Sequence, residues 1–197
     1  MALLTGDKAL EALYAEAETP EAARSSYWEH EIQNVRVTAE GHIEGPNVLG
    51  SVSTKTGMFY SAAHWVFQAP FRRMGRNFKD FPECQRLGRL VARRQGRQFT
   101  HDMIRQTLSL AVICHHADIK SEGPSNLIIG DGYGVMTSLV MLASPRRKAI
   151  AVNLTRPLLL DLIYIKKAVP DAGFALVADR EGMAQALERP DVRLIAV

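Results

Sequence analysis

The pattern of hydrophobic and polar positions changes near residue 123. From there on, short apolar runs alternate with segments of helical periodicity. The pattern predicts strands at 126–130, 149–154, 174–178 and 192–197, and helices at 135–143, 158–168 and 181–188. Continuous apolar strands that alternate with helices are typical of a parallel sheet covered on both faces. The sequence therefore predicts the α/β class, with a partial doubly wound parallel sheet over residues 123–197.

Residues 1–122 have mostly helical patterns, which predicts a helical N-terminal or cap region. Apolar positions between residues 3 and 14 fit one side of a helix, and a second predicted helix begins near residue 20 and extends past Trp28. Residues 41–57 are rich in glycine and predict a loop with short extended pieces. The clearest helix covers 100–116, with Thr100 as a suitable N-cap.

Composition adds few constraints to this picture. A hydrophobic fraction of 47% supports a real core, and a net charge of +3 does not by itself argue for a nucleic-acid partner. No segment approaches the ~18–20 apolar residues that a membrane span needs, and the acidic N-terminal segment does not resemble a signal peptide. The two cysteines, Cys84 and Cys114, lack metal-binding spacing and fit free thiols. We therefore expect a cytoplasmic protein without a membrane partner.

The first predicted strand leads directly into Gly130–Asp131–Gly132–Tyr133–Gly134, and a helix follows at once. In a doubly wound sheet this turn is where a nucleotide-like ligand docks, close to the free N–H groups of the helix. Glycines permit both the close approach and positive φ angles. The dinucleotide fingerprint is G-x-G-x-x-G, whereas the spacing here is G-x-G-x-G. This shorter spacing is typical of methyltransferases, whose cofactor has no pyrophosphate.

Asn153 ends the second predicted strand. Adenosine-binding α/β proteins place a hydrogen-bonding side chain there to hold the ribose hydroxyls. The other interpretation is that Asn153 only ends the strand in a turn. The residues alone leave both interpretations open.

The segments LIIGDGYG (127–134) and AVNLTRPLLLDLIYIKKAVPD (151–171) resemble the sugar O-methyltransferases of the class I S-adenosylmethionine-dependent group. The segment at Tyr27, Trp28 and Glu29 and the helix from Thr100 are similar in kind. The resemblance implies the front half of a Rossmann-like methyltransferase domain, with S-adenosylmethionine as the cofactor. The residues that it implies for cofactor binding are Gly130, Asp131, Gly132, Tyr133, Gly134, Asn153, Leu154 and Asp179, the last at the adenine amino group. The alternative for Asp179 is an ordinary loop residue.

The sequence departs from the family pattern in three respects. Ile128 stands where the family has an acid two residues before the first glycine, and Asn153 stands where it has the acid of strand two. The loss of both carboxylates weakens the expected contacts to the methionine amino group and the ribose. The family's sheet has seven strands, whereas only four are predicted here. We therefore expect the chain to be truncated at its C-terminus; the alternatives are that another chain completes the sheet or that the protein is a decayed relative of the family.

Three residues of the helix at 100–116 are candidates for the base that takes the proton of an acceptor hydroxyl: His101, Asp102 and His115. The alternative for Asp102 is an ordinary surface ion pair with Arg105. His115 and His116 lack partners at metal-ligand spacing other than Asp118, so the sequence predicts no metal site.

Arginines cluster between residues 72 and 97, interleaved with Phe71, Phe78 and Phe81. They could contact a phosphate-bearing substrate or RNA, but a solvated helix face and linker is the preferred interpretation. Taken together, the sequence predicts an S-adenosylmethionine-dependent O-methyltransferase that acts on a sugar or related hydroxyl, with a homo-oligomer as an option. Two alternatives stay open: a non-catalytic methyltransferase-like binding module and an RNA-binding methyltransferase-like protein.

Overall fold

The computed structural model describes residues 3–19, 36–37, 43–44, 63 and 65–197. The strands are β1 (Leu4–Thr5), β2 (Arg36–Val37), β3 (Ile43–Glu44), β4 (Asn126–Ile129), β5 (Ala149–Val152), β6 (Phe174–Leu176) and β7 (Leu194–Ala196). The helices are α1 (Asp7–Ala17), α2 (Ala69–Gly75), α3 (Phe81–Arg94), α4 (His101–His116), α5 (Val135–Ala143), α6 (Thr155–Ala168) and α7 (Arg180–Glu188). This mixed arrangement around a mostly parallel sheet confirms the predicted α/β class.

Five strands form the main sheet, in the order β1–β6–β7–β5–β4. β1 is antiparallel to β6, and the other neighbouring pairs are parallel. β2 and β3 form a separate antiparallel pair. In the Rossmann arrangement the fourth strand lies beside the first, on the far side from the second and third. Here β7 lies instead between β5 and β6, which leaves β4 at the edge of the described sheet.

Helices cover both faces of the sheet, but unequally. Phe174, Leu176 and Leu194 point into a large core beneath α1, α5 and α6, whereas Ala175 and Ile195 point to the opposite face, against α7. Helix α5 connects β4 to β5 and α6 connects β5 to β6, both on one face of the sheet. Helix α7 connects β6 back to β7 on the other face. All three crossovers therefore have the same hand, as parallel sheets require.

Helix α6 is enclosed by the molecule, because α1 and α3 also pack against it. Eleven of its 14 residues are buried, which explains a sequence that is apolar on nearly every side. Helices α3 and α4 pack against each other and against α5. Residues from both sides of the predicted boundary at 122/123, such as Val91 and Leu139, thus share one core.

The sequence-predicted bounds are matched best after residue 100: α5 is as predicted, and Thr100 is confirmed as the N-cap of α4, which begins at His101. The first helix begins later than predicted. Gly6 adopts a positive φ of 61° and ends a short strand, so Leu4 pairs with Leu176 instead of joining α1. Helix α6 begins at Thr155, earlier than predicted, because Pro157 is tolerated in a first turn. The arginine-rich segment predicted as helix face and linker forms α2 and α3.

Two predictions fall on other parts of the chain. The helix predicted to begin near residue 20, with Trp28, lies outside the described residues. The glycine-rich segment 41–57 does so as well, apart from the two residues of β3.

On the sheet face that carries α7, described residues bury β6 and β7 and partly cover Ile150 of β5. Leu127 and Ile129 of β4 project on this face and are 59% and 73% exposed. Among the helices that the structure describes, none has the length and apolar character needed to cross a membrane.

Candidate functional site

The glycine loop connects the carboxyl end of β4 to α5. Gly130, Gly132 and Gly134 have φ angles of 70°, 87° and 60°, which side-chain-bearing residues rarely adopt. Gly134 takes the N-cap position of α5 in the left-handed conformation. The backbone of this turn therefore depends on glycine at all three positions.

The first and third glycines have different surroundings. A Cβ at Gly130 would meet no described atom within 4 Å, so the first glycine borders open space. A Cβ at Gly134 would lie 2.5 Å from Cγ1 of Ile165 and 2.6 Å from the carbonyl oxygen of Asp161. The third glycine is thus required for close packing against α6, and the first is the one that a ligand can approach.

Asp131 caps the helix that follows the loop. Gly134 has no side chain to cap α5, and the Asp131 carboxylate instead accepts hydrogen bonds from the N–H groups of Met136 (2.9 Å) and Thr137 (2.6 Å). Burial raises the pKa of Asp131, while these N–H donors favour its ionised form. The helix terminus that commonly binds phosphate is therefore occupied by the chain's own carboxylate. A phosphate placed there would meet both a filled site and a like charge.

Asp161 of α6 is a central residue that the sequence analysis missed. It is 1% exposed, and its Oδ1 accepts a hydrogen bond from the Gly134 N–H at 2.8 Å. Burial, followed by the nearby charge of Asp131, raises the pKa of Asp161 to about 8. The available signal was a lone acid inside the run LLLDLIYI, since a carboxylate is rarely buried without a specific partner.

Both polar atoms of the Asn153 side-chain amide, the predicted ribose contact, form hydrogen bonds within the protein. Its Nδ2 donates to Oδ2 of Asp161 at 2.8 Å, and its Oδ1 accepts from the N–H of Leu154 at 2.9 Å. Leu154 is the N-cap residue of α6. Both residues lie near the glycine loop, because the Gly130 N–H donates to the Val152 carbonyl at the end of β5. Asn153 thus links the end of β5 to Asp161 and, through it, to the loop.

An arginine and two tyrosines pack beside the loop. The guanidinium carbon of Arg97 lies 4.7 Å from the ring centre of Tyr133 and 5.3 Å from that of Tyr164. The two rings meet edge to face, with centres 5.6 Å apart. Burial lowers the pKa of Arg97, and the tyrosines, Asp102 and Asp131 oppose that shift. The cluster therefore connects the loop residue Tyr133 to the N-terminal helical region.

The predicted candidate bases separate into two groups along α4. His101 and Asp102 lie at its N-terminal end, whereas His115 and His116 lie at its C-terminal end. At 1.5 Å per residue, Asp102 and His115 are roughly 20 Å apart along the helix axis. At the N-terminal end, the charge of Asp102 acts on Arg97 and raises its pKa against the effect of burial. His115 belongs to a different part of the molecule.

Each of these candidates has local partners. Asp102 forms the ion pair with Arg105 that the sequence suggested, at 2.6 Å. The His101 ring contacts Phe71 edge to face, and His115 contacts Phe78 in the same way. The phenylalanines that interleave with the arginines therefore pack within the protein, as does Phe81, which is buried.

Asp179, the predicted adenine contact, follows β6 and caps α7. Its carboxylate accepts a hydrogen bond from the Gly182 N–H at 2.8 Å. Three strand spacings separate β6 from β4 in the observed order, which amounts to roughly 14 Å. The structure thus brings together the glycine loop, Asn153 and Leu154, and leaves Asp179 farther along the sheet.

Within the part of the chain that the structure describes, no group of three or more His, Cys, Asp or Glu side chains could hold a metal ion. Comparison with known proteins identifies no relative. No protein-family model matches the chain, and no curated protein or solved structure matches it.

Proposed function

We propose that the chain carries the cofactor-binding unit of an S-adenosylmethionine-dependent O-methyltransferase that acts on a sugar or related hydroxyl, on a sheet whose strand order departs from the Rossmann arrangement. The observation that carries this proposal is the different surroundings of the two ends of the loop. Gly130 borders open space, whereas the helix terminus behind it is filled by Asp131. A ligand of this loop must approach Gly130 closely and must need no phosphate site. S-adenosylmethionine meets both conditions.

S-adenosylmethionine would supply a methyl group activated by a positively charged sulfur. The loop from Gly130 to Gly134 would hold it, and Asp161 and Asn153 would act as positioning residues because they fix the loop to the end of β5. Asp102 or His101, at the end of α4 that faces Arg97, would take the proton of the acceptor hydroxyl. The remaining contribution of the chain is alignment of donor and acceptor.

Calorimetry with S-adenosylhomocysteine, the demethylated cofactor, tests the proposal. Gly130→Asn would place a side chain in the ligand space, and Gly96→Asn is the matched control, because Gly96 has φ 69° and also no neighbour within 4 Å. Asn tolerates a positive φ better than most residues. We expect the wild type and Gly96→Asn to bind, and Gly130→Asn to lose at least roughly tenfold in affinity.

Two results would overturn the proposal. One is the absence of binding at millimolar S-adenosylhomocysteine in a sample that is folded by circular dichroism. The other is an unchanged affinity in Gly130→Asn. Adenosine diphosphate serves as the negative ligand, because its phosphates would meet Asp131.

A non-catalytic binding module is the second candidate function. The observation that favours it is Asn153, whose amide is engaged by Asp161 and Leu154 and carries no charge for a ribose contact. Transfer of a labelled methyl group to a panel of sugars and nucleotide sugars separates the two candidates. Binding without any transfer favours the module, and transfer to one acceptor class favours the enzyme.

A further inference from the structure

The two cysteines of the chain meet between two helices, away from the glycine loop. Cys84 lies on α3 and is buried, and Cys114 lies on α4 and is half-buried. The two helices pack directly against each other. The two thiols are close enough to shift each other's pKa, and neither is in a disulfide.

Cys114 also faces a surface pocket of about 280 Å³ at the end of α4. The wall of this pocket includes Asp80, Cys114, His115, His116, Asp118 and Lys120. The Lys120 ammonium pairs with Asp80 at 2.5 Å and is close enough for its charge to act on both thiols. Cys114 thus borders an open pocket whose wall also holds the Lys120–Asp80 ion pair, whereas Cys84 is buried.

The surroundings of the two thiols make Cys114 the better nucleophile and keep Cys84 protonated. The hydrogen bond from Cys84 lowers the pKa of Cys114 and burial opposes that shift, while the charges of Lys120 and Asp80 act in opposite directions, Lys120 lowering the pKa and Asp80 raising it. The same hydrogen bond, together with burial, raises the pKa of Cys84. Because the thiolate is the reactive form, attack by Cys114 is favoured.

We propose that Cys114 is a thiol–disulfide exchange site for small disulfides such as glutathione disulfide, with Cys84 as the resolving thiol. The Cys114 thiolate attacks one sulfur of the small disulfide, forms a mixed disulfide and releases one thiolate. Cys84 then loses its proton to solvent, attacks Sγ of Cys114 and expels the second thiolate. The two cysteines are oxidised to one disulfide, and the small disulfide is reduced to two thiols. This inference does not depend on the proposed methyltransferase function.

Intact-protein mass spectrometry after exposure to glutathione disulfide tests the proposal, with alkylation to trap the remaining thiols. We expect the wild type to end as the internal disulfide and Cys84→Ala to stop at a stable mixed disulfide on Cys114. We expect Cys114→Ala to react at Cys84 at least roughly tenfold more slowly, because Cys84 is buried. Circular dichroism confirms that each variant is folded.

A second measurement needs no cysteine variant. Iodoacetamide in limiting amount, followed by peptide mapping of the wild type, should label Cys114 before Cys84, and Lys120→Met should slow that labelling severalfold. A wild type that stops at the mixed disulfide would overturn the resolving role of Cys84. Equal labelling of the two thiols, or a Cys114→Ala variant that reacts as fast as the wild type, would overturn the role of Cys114.

Discussion

Asp161 accepts a hydrogen bond from the backbone N–H of Gly134 at 2.8 Å, across 27 positions of sequence. The bond joins the helix after β5 to the turn after β4, and it does so inside the protein. Through its second oxygen, Asp161 also holds Asn153. The shape of the glycine loop is therefore set by a residue outside it, on a helix that is apolar on nearly every side.

Replacement of this acid by Asn should make the stability of the protein less dependent on pH. A carboxyl in the unfolded chain ionises near pH 3.9, whereas the pKa of Asp161 is raised to about 8 in the folded protein. The folded state therefore keeps a proton that the unfolded state loses, and the wild type loses stability as the pH rises from about 4 to about 8. Asp161→Asn keeps an oxygen for the Gly134 N–H without a charge.

We expect the wild type to lose roughly 1–3 kcal/mol more of its free energy of unfolding than Asp161→Asn between pH 5 and pH 8. Urea denaturation at the two pH values measures the difference, and the comparison cancels the groups that do not interact with Asp161; the change at Asp131, whose charge acts on Asp161, is part of the measured effect. Parallel pH profiles would show that the buried carboxyl does not keep its proton.

Loss of the cap at Asp131 should lower both the stability of the protein and the affinity of the glycine loop for S-adenosylhomocysteine. Asp131→Ala leaves the N–H groups of Met136 and Thr137 without their acceptor, at a cost of about 1–2 kcal/mol. The matched control is Asp179→Ala, which removes the equivalent cap from α7 at a similar cost.

Because Asp179 lies about three strand spacings from β4, we expect only Asp131→Ala to reduce the affinity for S-adenosylhomocysteine. Thermal denaturation gives the stability, and calorimetry gives the affinity. A loss of affinity in Asp179→Ala would instead support the adenine contact that the family resemblance implies for this residue.

The local elements were predictable because their signals are local. Helix α5 lies between a glycine turn and Ser144–Pro145, and these start and stop signals determine its bounds. The segment at Leu4 was predicted as helix because its apolar spacing fits one, and only pairing with β6 identifies it as a strand. Pairing of this kind depends on residues about 170 positions away, which a periodicity does not encode.

The strand order was not predictable for the same reason. β7 lies between β5 and β6, yet its sequence is a short apolar run that fits any interior position of a parallel sheet. The loop glycines could be recognised from their spacing, whereas Asp161 could not be assigned to the loop. Its partner, the Gly134 N–H, is a backbone group, so the pattern of residue types along the sequence does not indicate the contact.

Lys148 should contribute to stability through α7. Its ammonium donates to the carbonyls of Ala186 (3.1 Å) and Arg189 at the C-terminal end of that helix, and to the carbonyl of Val192 (2.7 Å) in the turn that leads to β7. Lys148→Met keeps the aliphatic length but removes the donors, and we expect a loss of about 1–3 kcal/mol in the free energy of unfolding. The exposed Lys8 provides the control, since Lys8→Met should change it by less than about 0.5 kcal/mol. Similar losses in both variants would contradict a capping role.

Gly130→Ala and Gly134→Ala together separate the cost of backbone strain in the glycine loop from the cost of close packing against α6. Gly130→Ala and Gly134→Ala both place a methyl group on a backbone with positive φ, at 70° and 60°. Strain alone should cost each variant about 1–2 kcal/mol. Only the methyl group at Gly134 also collides with Ile165 and with the backbone of Asp161.

The collision should cost Gly134→Ala roughly a further 1–3 kcal/mol, because a backbone oxygen at 2.6 Å cannot turn away as a flexible side chain can. Urea denaturation of both variants at one pH gives the difference directly. Equal losses would mean that α6 does not pack against the loop as described, and the hydrogen bond from Gly134 to Asp161 would then lose its structural basis. A larger loss in Gly134→Ala would establish that close packing requires the third glycine, whereas the first is required only for its backbone conformation.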